Sequence, residues 1–69
     1  MANICDWIIS KGGPNSLELT NVFQIIDAYL FQQPLTGYDF IPDINQVFGV
    51  IDYYLGFNGD NKTGCSYYG

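Results

Sequence analysis

The phrase VFQIIDAYL, residues 22 to 30, returns twenty-five residues later as VFGVIDYYL, residues 47 to 55. Extended back by two residues, the copies read TNVFQIIDAYL and NQVFGVIDYYL, identical at six of eleven positions. Two further changes are conservative: Asn21 against Gln46 and Ile25 against Val50. Such a repeat means one supersecondary unit used more than once. Within each copy the apolar residues keep helical spacing: Val22, Ile25, Ile26, Tyr29 and Leu30, then Val47, Val50, Ile51, Tyr54 and Leu55. That is the i, i+3, i+4, i+7, i+8 stripe of an amphipathic helix. A strand would require alternation, which Ile25-Ile26 and Val50-Ile51 break.

The flanks agree. Pro14-Asn15-Ser16 predicts a stop and cap before the first helix, with Glu18 placed for the positive end of its dipole. Pro42-Asp43 predicts the same for the second, with the proline in the first turn. Gln33-Pro34-Leu35-Thr36-Gly37 ends the first helix, and Gly56 with Asn58-Gly59 ends the second. Ile4-Cys5-Asp6-Trp7-Ile8-Ile9 aligns with the back halves of both copies and reads as a shorter helix of the same kind. The expected organisation is one domain, 1–69, with a partial repeat at 3–11, repeat one at 12–33, repeat two at 37–57 and a C-terminal loop at 58–69. A repeat that begins halfway predicts a natural chain continuing upstream of Met1; the alternative is a short terminal helix that resembles the others because apolar helices often do.

Size makes stability a concern. A 69-residue chain buries only about 60% of the surface it exposes when unfolded, against an ordering cost of roughly 100 kcal/mol. Its 48% hydrophobic and 17% aromatic content is too apolar for disorder. Cys5 and Cys65, if paired, close nearly the whole chain into one loop, a crosslink worth roughly 4 kcal/mol in the chain-entropy model. A disulfide is the expectation; two thiols of a cytosolic protein are the other arrangement open to them. Asn61-Lys62-Thr63 is a glycosylation sequon and points to an exported chain.

Charge excludes partners. Two lysines and no arginine or histidine stand against seven acids, a net charge of −5. Neither nucleic-acid phosphate nor an anionic membrane has a basic surface to meet. No segment reaches the ~18 apolar residues of a membrane span. Met1–Ser10 lacks the basic start and long apolar stretch of a secretory signal. The chain is therefore expected to be either cytosolic or a piece of a longer exported protein.

Loop then helix, twice, with apolar-apolar-Asp-x-Tyr-Leu closing each helix, resembles the dockerin module. Leu17 to Leu30 and Pro42 to Gly56 follow the family's helical half, which reads roughly V-x-I-x-D-V-x-x-I-I-D-Y-x-L-G. The resemblance implies a small all-α fold: a dockerin-like pair of loop-helix repeats plus a short N-terminal helix. It further implies attachment to a partner domain of the cohesin type. The family's partner-reading residues at each helix start match Thr20 and Asn21, then Asn45 and Gln46. The calcium half departs from the pattern. Ser10, Gly12 and Pro14, then Leu35, Gly37 and Asp39, occupy the ligand positions, and Asn21 and Gln46 replace the acid that closes each loop. One carboxylate in two loops does not hold two calcium ions, so no metal is expected there and no cofactor elsewhere. Asn58 and Asp60, where oxygen donors cluster, are the remaining calcium candidates beside the simpler reading of a polar turn. The loss of calcium gives the disulfide more to do. An aromatic clasp is expected over it, Trp7 beside Cys5 and Tyr67-Tyr68 beside Cys65.

Catalysis has little to work with. Without histidine there is no usual neutral-pH base and no Ser-His or Cys-His pair. Asp6 beside Cys5 opposes an activated thiolate. Asp27 and Asp52, at equivalent repeat positions, are the one obvious acid pair and are expected to be solvated or locally bonded. Phe23, Phe48, Tyr29 and Tyr54 are expected in the core, whereas Tyr38, Phe40, Tyr53, Phe57, Tyr67 and Tyr68 supply a tyrosine-rich, lysine-poor surface of the kind that binds proteins. The expected function is a non-catalytic interaction module of an extracellular or cell-surface protein. A structural repeat or cap of a surface protein and a small acidic cytosolic inhibitor are the alternatives.

Overall fold

The computed structural model describes residues 3–69, and among them the regular structure is entirely helical. Helix α1 runs Ile4–Ser10, a 3-10 turn covers Pro14–Ser16, α2 runs Leu19–Phe31, α3 runs Ile44–Leu55, and a single turn, α4, covers Asp60–Thr63. Each of the first three begins with a side chain three residues in reaching back to the chain entering the helix. In α1, Asn3 Oδ1 accepts the N–H groups of Cys5 and Asp6, and the Asp6 carboxylate accepts the Asn3 N–H at 3.2 Å. In α2, Asn21 Oδ1 accepts the Glu18 N–H at 2.8 Å. In α3, Asp43 and Gln46 exchange both bonds, at 2.8 and 3.0 Å. These capping contacts satisfy backbone donors that a helix start leaves orphaned.

Two flanks differ from expectation. Pro14-Asn15-Ser16 does not cap α2 but forms its own turn, because Leu17 is extended and buried and so separates that turn from the helix. Glu18 is the residue in the N-cap position. Pro42 precedes the cap residue Asp43 rather than entering the first turn. The stretch 58–69, expected as a loop, contains α4, whose first N–H is held by Asn58 Oδ1 at 2.8 Å. Gly56, at φ +92°, ends α3 in the left-handed region that glycine adopts without a Cβ penalty.

The core is drawn from the three longer helices and the chain between and after them: Ile4, Trp7 and Ile8 of α1, Leu17, then Val22, Ile25 and Ala28 of α2, Leu35, Val47, Val50 and Tyr53 of α3, and Cys65. The inward line on each long helix is therefore i, i+3, i+6. Leu30 and Leu55, placed by the sequence in the core stripe, are 65% and 60% exposed. Phe23, Phe48 and Tyr54 are likewise corrected, at 56%, 49% and 40% exposure, while Tyr29 is half-buried against the core. Phe23 and Phe48 directly follow Val22 and Val47, and one residue on is about 100° round the helix. Tyr53, expected at the surface, is buried.

Cys5 and Cys65 are joined, with sulfurs 2.02 Å apart across a sequence separation of 60. Tyr67 reinforces the closure by donating its hydroxyl to the Cys5 carbonyl at 2.8 Å. The clasp has a different aromatic base from the one expected. Tyr53 packs edge-on to Tyr67 and tilted against Tyr68, whereas Trp7 lies in the core with the Lys11 ammonium 5.4 Å from its ring centroid.

Candidate interaction surface

Helices α2 and α3 each carry a second apolar line, distinct from the buried one. On α2 it is Leu19, Phe23, Ile26 and Leu30; on α3 it is Ile44, Phe48, Ile51 and Leu55. The spacing i, i+4, i+7, i+11 keeps each set within a narrow angular band. Leu19, Phe23 and Leu30 are 49 to 65% exposed, and Ile44, Phe48 and Leu55 are 40 to 60% exposed. Ile26 and Ile51 lie half-buried at the base of each line. Exposed apolar residues scattered singly are ordinary. Here the same kinds of residue recur at the same four positions of both repeat copies.

Thr20, Asn21, Asn45 and Gln46 stand at the heads of these lines. Thr20 and Asn45 are exposed and available, whereas Asn21 and Gln46 are half-buried and occupied in capping. Asn21 also donates its amide to Gln24 Oε1 at 3.3 Å. At the position where the resembled family carries a calcium-binding acid, each of these amides bonds the backbone of its own loop.

The second repeat is completed by the C-terminal chain. Tyr53 donates its hydroxyl to Asp60 Oδ1 at 2.7 Å and shares a 2.8 Å bond with the Thr63 hydroxyl. Asp60 also accepts the N–H groups of Tyr67, Tyr68 and Gly69, at 3.2, 2.9 and 3.0 Å, gathering the tail onto one carboxylate. Desolvation pushes that carboxyl upward, but the Tyr53 hydroxyl and the three backbone donors outweigh it, leaving Asp60 below its ordinary value. Burial first, and the adjacent Asp60 charge, raise Tyr53 far above the ordinary tyrosine range. Burial, with the charges of Asp6 and Asp60, also raises Tyr67.

This arrangement bears on the calcium candidates. Both Asp60 oxygens accept hydrogen bonds within the chain, and Asn58 Oδ1 holds the Asp60 N–H. Among the described residues no three His, Cys, Asp or Glu side chains stand together as a metal-holding group. The loop positions themselves, Ser10, Gly12 and Pro14, then Leu35, Gly37 and Asp39, offer one carboxylate between them, a donor set that does not fit the pair of calcium sites of the resembled family. Asn61 is exposed on α4, but the threonine of its sequon is 8% exposed and bonded through its hydroxyl to Tyr53 and Gly59. Asp27 and Asp52 take different roles: Asp52 pairs with Lys62 at 2.7 Å, and Asp27 borders a groove.

Two features escaped the sequence reading. The exposed second line was visible as duplicated Phe and Leu, which read equally well as core. The contact between Gly49 and Gly59 was signalled only by glycine standing inside one helix copy where the other has Gln24. No protein-family model, curated protein or solved structure matches this chain.

Proposed function

We propose that the chain is a non-catalytic, dockerin-like interaction module that attaches an extracellular or cell-surface protein to a cohesin-type partner domain. The duplicated exposed line, Leu19, Phe23 and Leu30 matched by Ile44, Phe48 and Leu55, carries this reading. Core packing accounts for Val22, Ile25, Val47 and Val50 but gives no reason to keep large apolar residues at the outward positions of both copies. Equivalent faces on α2 and α3 let either helix engage the partner. The lysine-poor, aromatic-rich composition suits a protein interface. The Cys5–Cys65 bond favours an oxidising compartment. Among the described residues no helix is long and apolar enough to cross a membrane.

Calorimetric titration of the oxidised chain against a panel of cohesin-type domains tests the proposal. One-to-one binding at micromolar or tighter affinity is expected for at least one member. No heat with any member at high micromolar concentration overturns it. The structural-repeat alternative draws on Ile9, 61% exposed on the short helix α1. It is favoured instead if the chain is inert toward partners and its melting temperature rises when upstream sequence is added.

A further inference from the structure

The two repeat units are not completed in the same way. On α3, Gly49, Asp52 and Tyr53 are covered by the chain from Gly59 to Thr63. A Cβ at Gly49 would meet Thr63, Gly59 and Lys62. Lys62 Nζ lies 2.7 Å from Asp52, and Tyr53 bonds Asp60 and Thr63. Twenty-five residues earlier, the equivalent positions on α2 are Gln24, Asp27 and Ala28. These three line a groove of about 610 Å³, bounded also by Trp7, Lys11, Phe31 and the segment 33–36. The first unit thus has an open groove on the face where the second carries α4, and the described residues provide no ion pair for Asp27.

We propose that this groove docks a partner segment bearing a lysine or arginine, which sets its cation on Asp27 as Lys62 sets its own on Asp52. Charge complementarity identifies the occupant. The chain carries a net charge of −5 and attracts basic segments as a whole. Phe31, 70% exposed at the groove, offers a ring to the aliphatic stem and the cation of such a side chain. Gln24, in place of Gly49, keeps the incoming backbone farther from the helix than α4 sits on α3, so a long basic side chain is needed to reach Asp27. Lys11, held over Trp7, disfavours a second cation at that end, which selects an isolated basic residue over a basic run. The groove lies roughly a third of a turn round α2 from the line of Leu19, Phe23 and Leu30. It stands or falls independently of that surface.

The probe is a blocked hexapeptide copying residues 59–64, Gly-Asp-Asn-Lys-Thr-Gly, prepared with Lys, Arg, Gln or Glu at the fourth position. It is titrated into the ¹⁵N-labelled, oxidised full chain. Saturable shifts at millimolar Lys or Arg peptide, centred on the amides of Gln24, Asp27, Phe31 and Thr36, are expected. Asp27→Asn should weaken the Lys peptide roughly threefold to fivefold. Asp52→Asn, which breaks the internal pair on the other helix, should leave its affinity unchanged. The proposal is overturned by equal binding of the Gln peptide, by unchanged affinity in Asp27→Asn, or by no saturable shift. Preferential binding of the Glu peptide also overturns it, and would place an acidic occupant on Lys11.

Discussion

Replacing Gly49 by alanine should destabilise the protein, although alanine in a helix interior is ordinarily better than glycine by about 1 kcal/mol. The added methyl runs into Thr63 Cγ2, and it stands 3.2 Å from both the Gly59 carbonyl oxygen and Lys62 Cβ. The carbonyl is backbone, and the facing Gly59 lies close against Gly49 in its turn, so α4 has to move away from α3. Overpacking of this sort costs about 1–3 kcal/mol. Moving α4 also weakens the buried bond between the Thr63 hydroxyl and Tyr53, worth about 1 kcal/mol. After the helix-propensity gain, a net loss of about 2 kcal/mol remains. For a chain of this size that is a fall of roughly 8–16 °C in Tm. Urea and thermal unfolding followed by far-ultraviolet circular dichroism measure it. Gln24→Ala at the equivalent, exposed position of the first repeat is the internal control, and should stay within about 0.5 kcal/mol of wild type. If Gly49→Ala matches or exceeds wild-type stability, α4 is not packed on α3 in the way described and the reasoning fails.

Other perturbations act on the same closure. Because the folded Asp60 carboxyl lies below its ordinary 3.8, its contribution to stability is present above that pH and is lost as pH falls through the folded value. Tyr53 works in the opposite sense: its raised value makes stability complete below its ordinary 10.0 and declining as pH rises above it. A denaturation series across pH should therefore show both an acidic and an alkaline fall, and a profile flat above pH 10.0 contradicts the buried hydroxyl. Replacing Cys5 and Cys65 together by serine releases a closure spanning 60 residues and should cost about 4 kcal/mol in urea unfolding. A loss under about 1 kcal/mol would show that hydrogen bonds such as Tyr67 to Cys5 hold the termini unaided. Thermal melts in calcium and in excess chelator should coincide, since Asp60 and Asn58 already serve the chain; a large upward shift in calcium contradicts that.

Local physics was readable in the sequence and tertiary direction was not. Helices α2 and α3 followed from apolar spacing and from the Pro34 and Gly56 signals after their ends, whereas their starts were misplaced, since Pro14-Asn15-Ser16 forms its own turn and Pro42 stands before the cap residue Asp43. The Cys5–Cys65 bond could be expected because closing a long loop benefits a thin core most. Phe23 and Phe48 were misread because each helix carries two apolar lines, and periodicity alone does not say which one faces inward. Tyr53 was misplaced for a related reason. Its burial depends on Asp60 and Thr63, which return through a turn that helical pattern does not encode. Asn21 and Gln46, read through the resemblance as partner contacts, are seen in the structure to hold their own helix starts. The mismatch between Gln24 and Gly49, unremarkable in an alignment of the two copies, marks the point where one unit gains α4 and the other keeps an open groove.

The most direct test of the central claim compares Phe23→Ala, Phe48→Ala and the double variant in titrations against whichever cohesin-type domain binds the wild type. Both side chains are half exposed, so neither change should unfold the chain. If α2 and α3 present interchangeable faces, either single variant keeps one intact mode and loses only about twofold in affinity. The double variant, lacking a ring on both faces, should lose roughly thirtyfold or more, the scale of an interface hot spot. Retention of wild-type affinity by the double variant would contradict the account, because the duplicated exposed line would then not be the surface that binds.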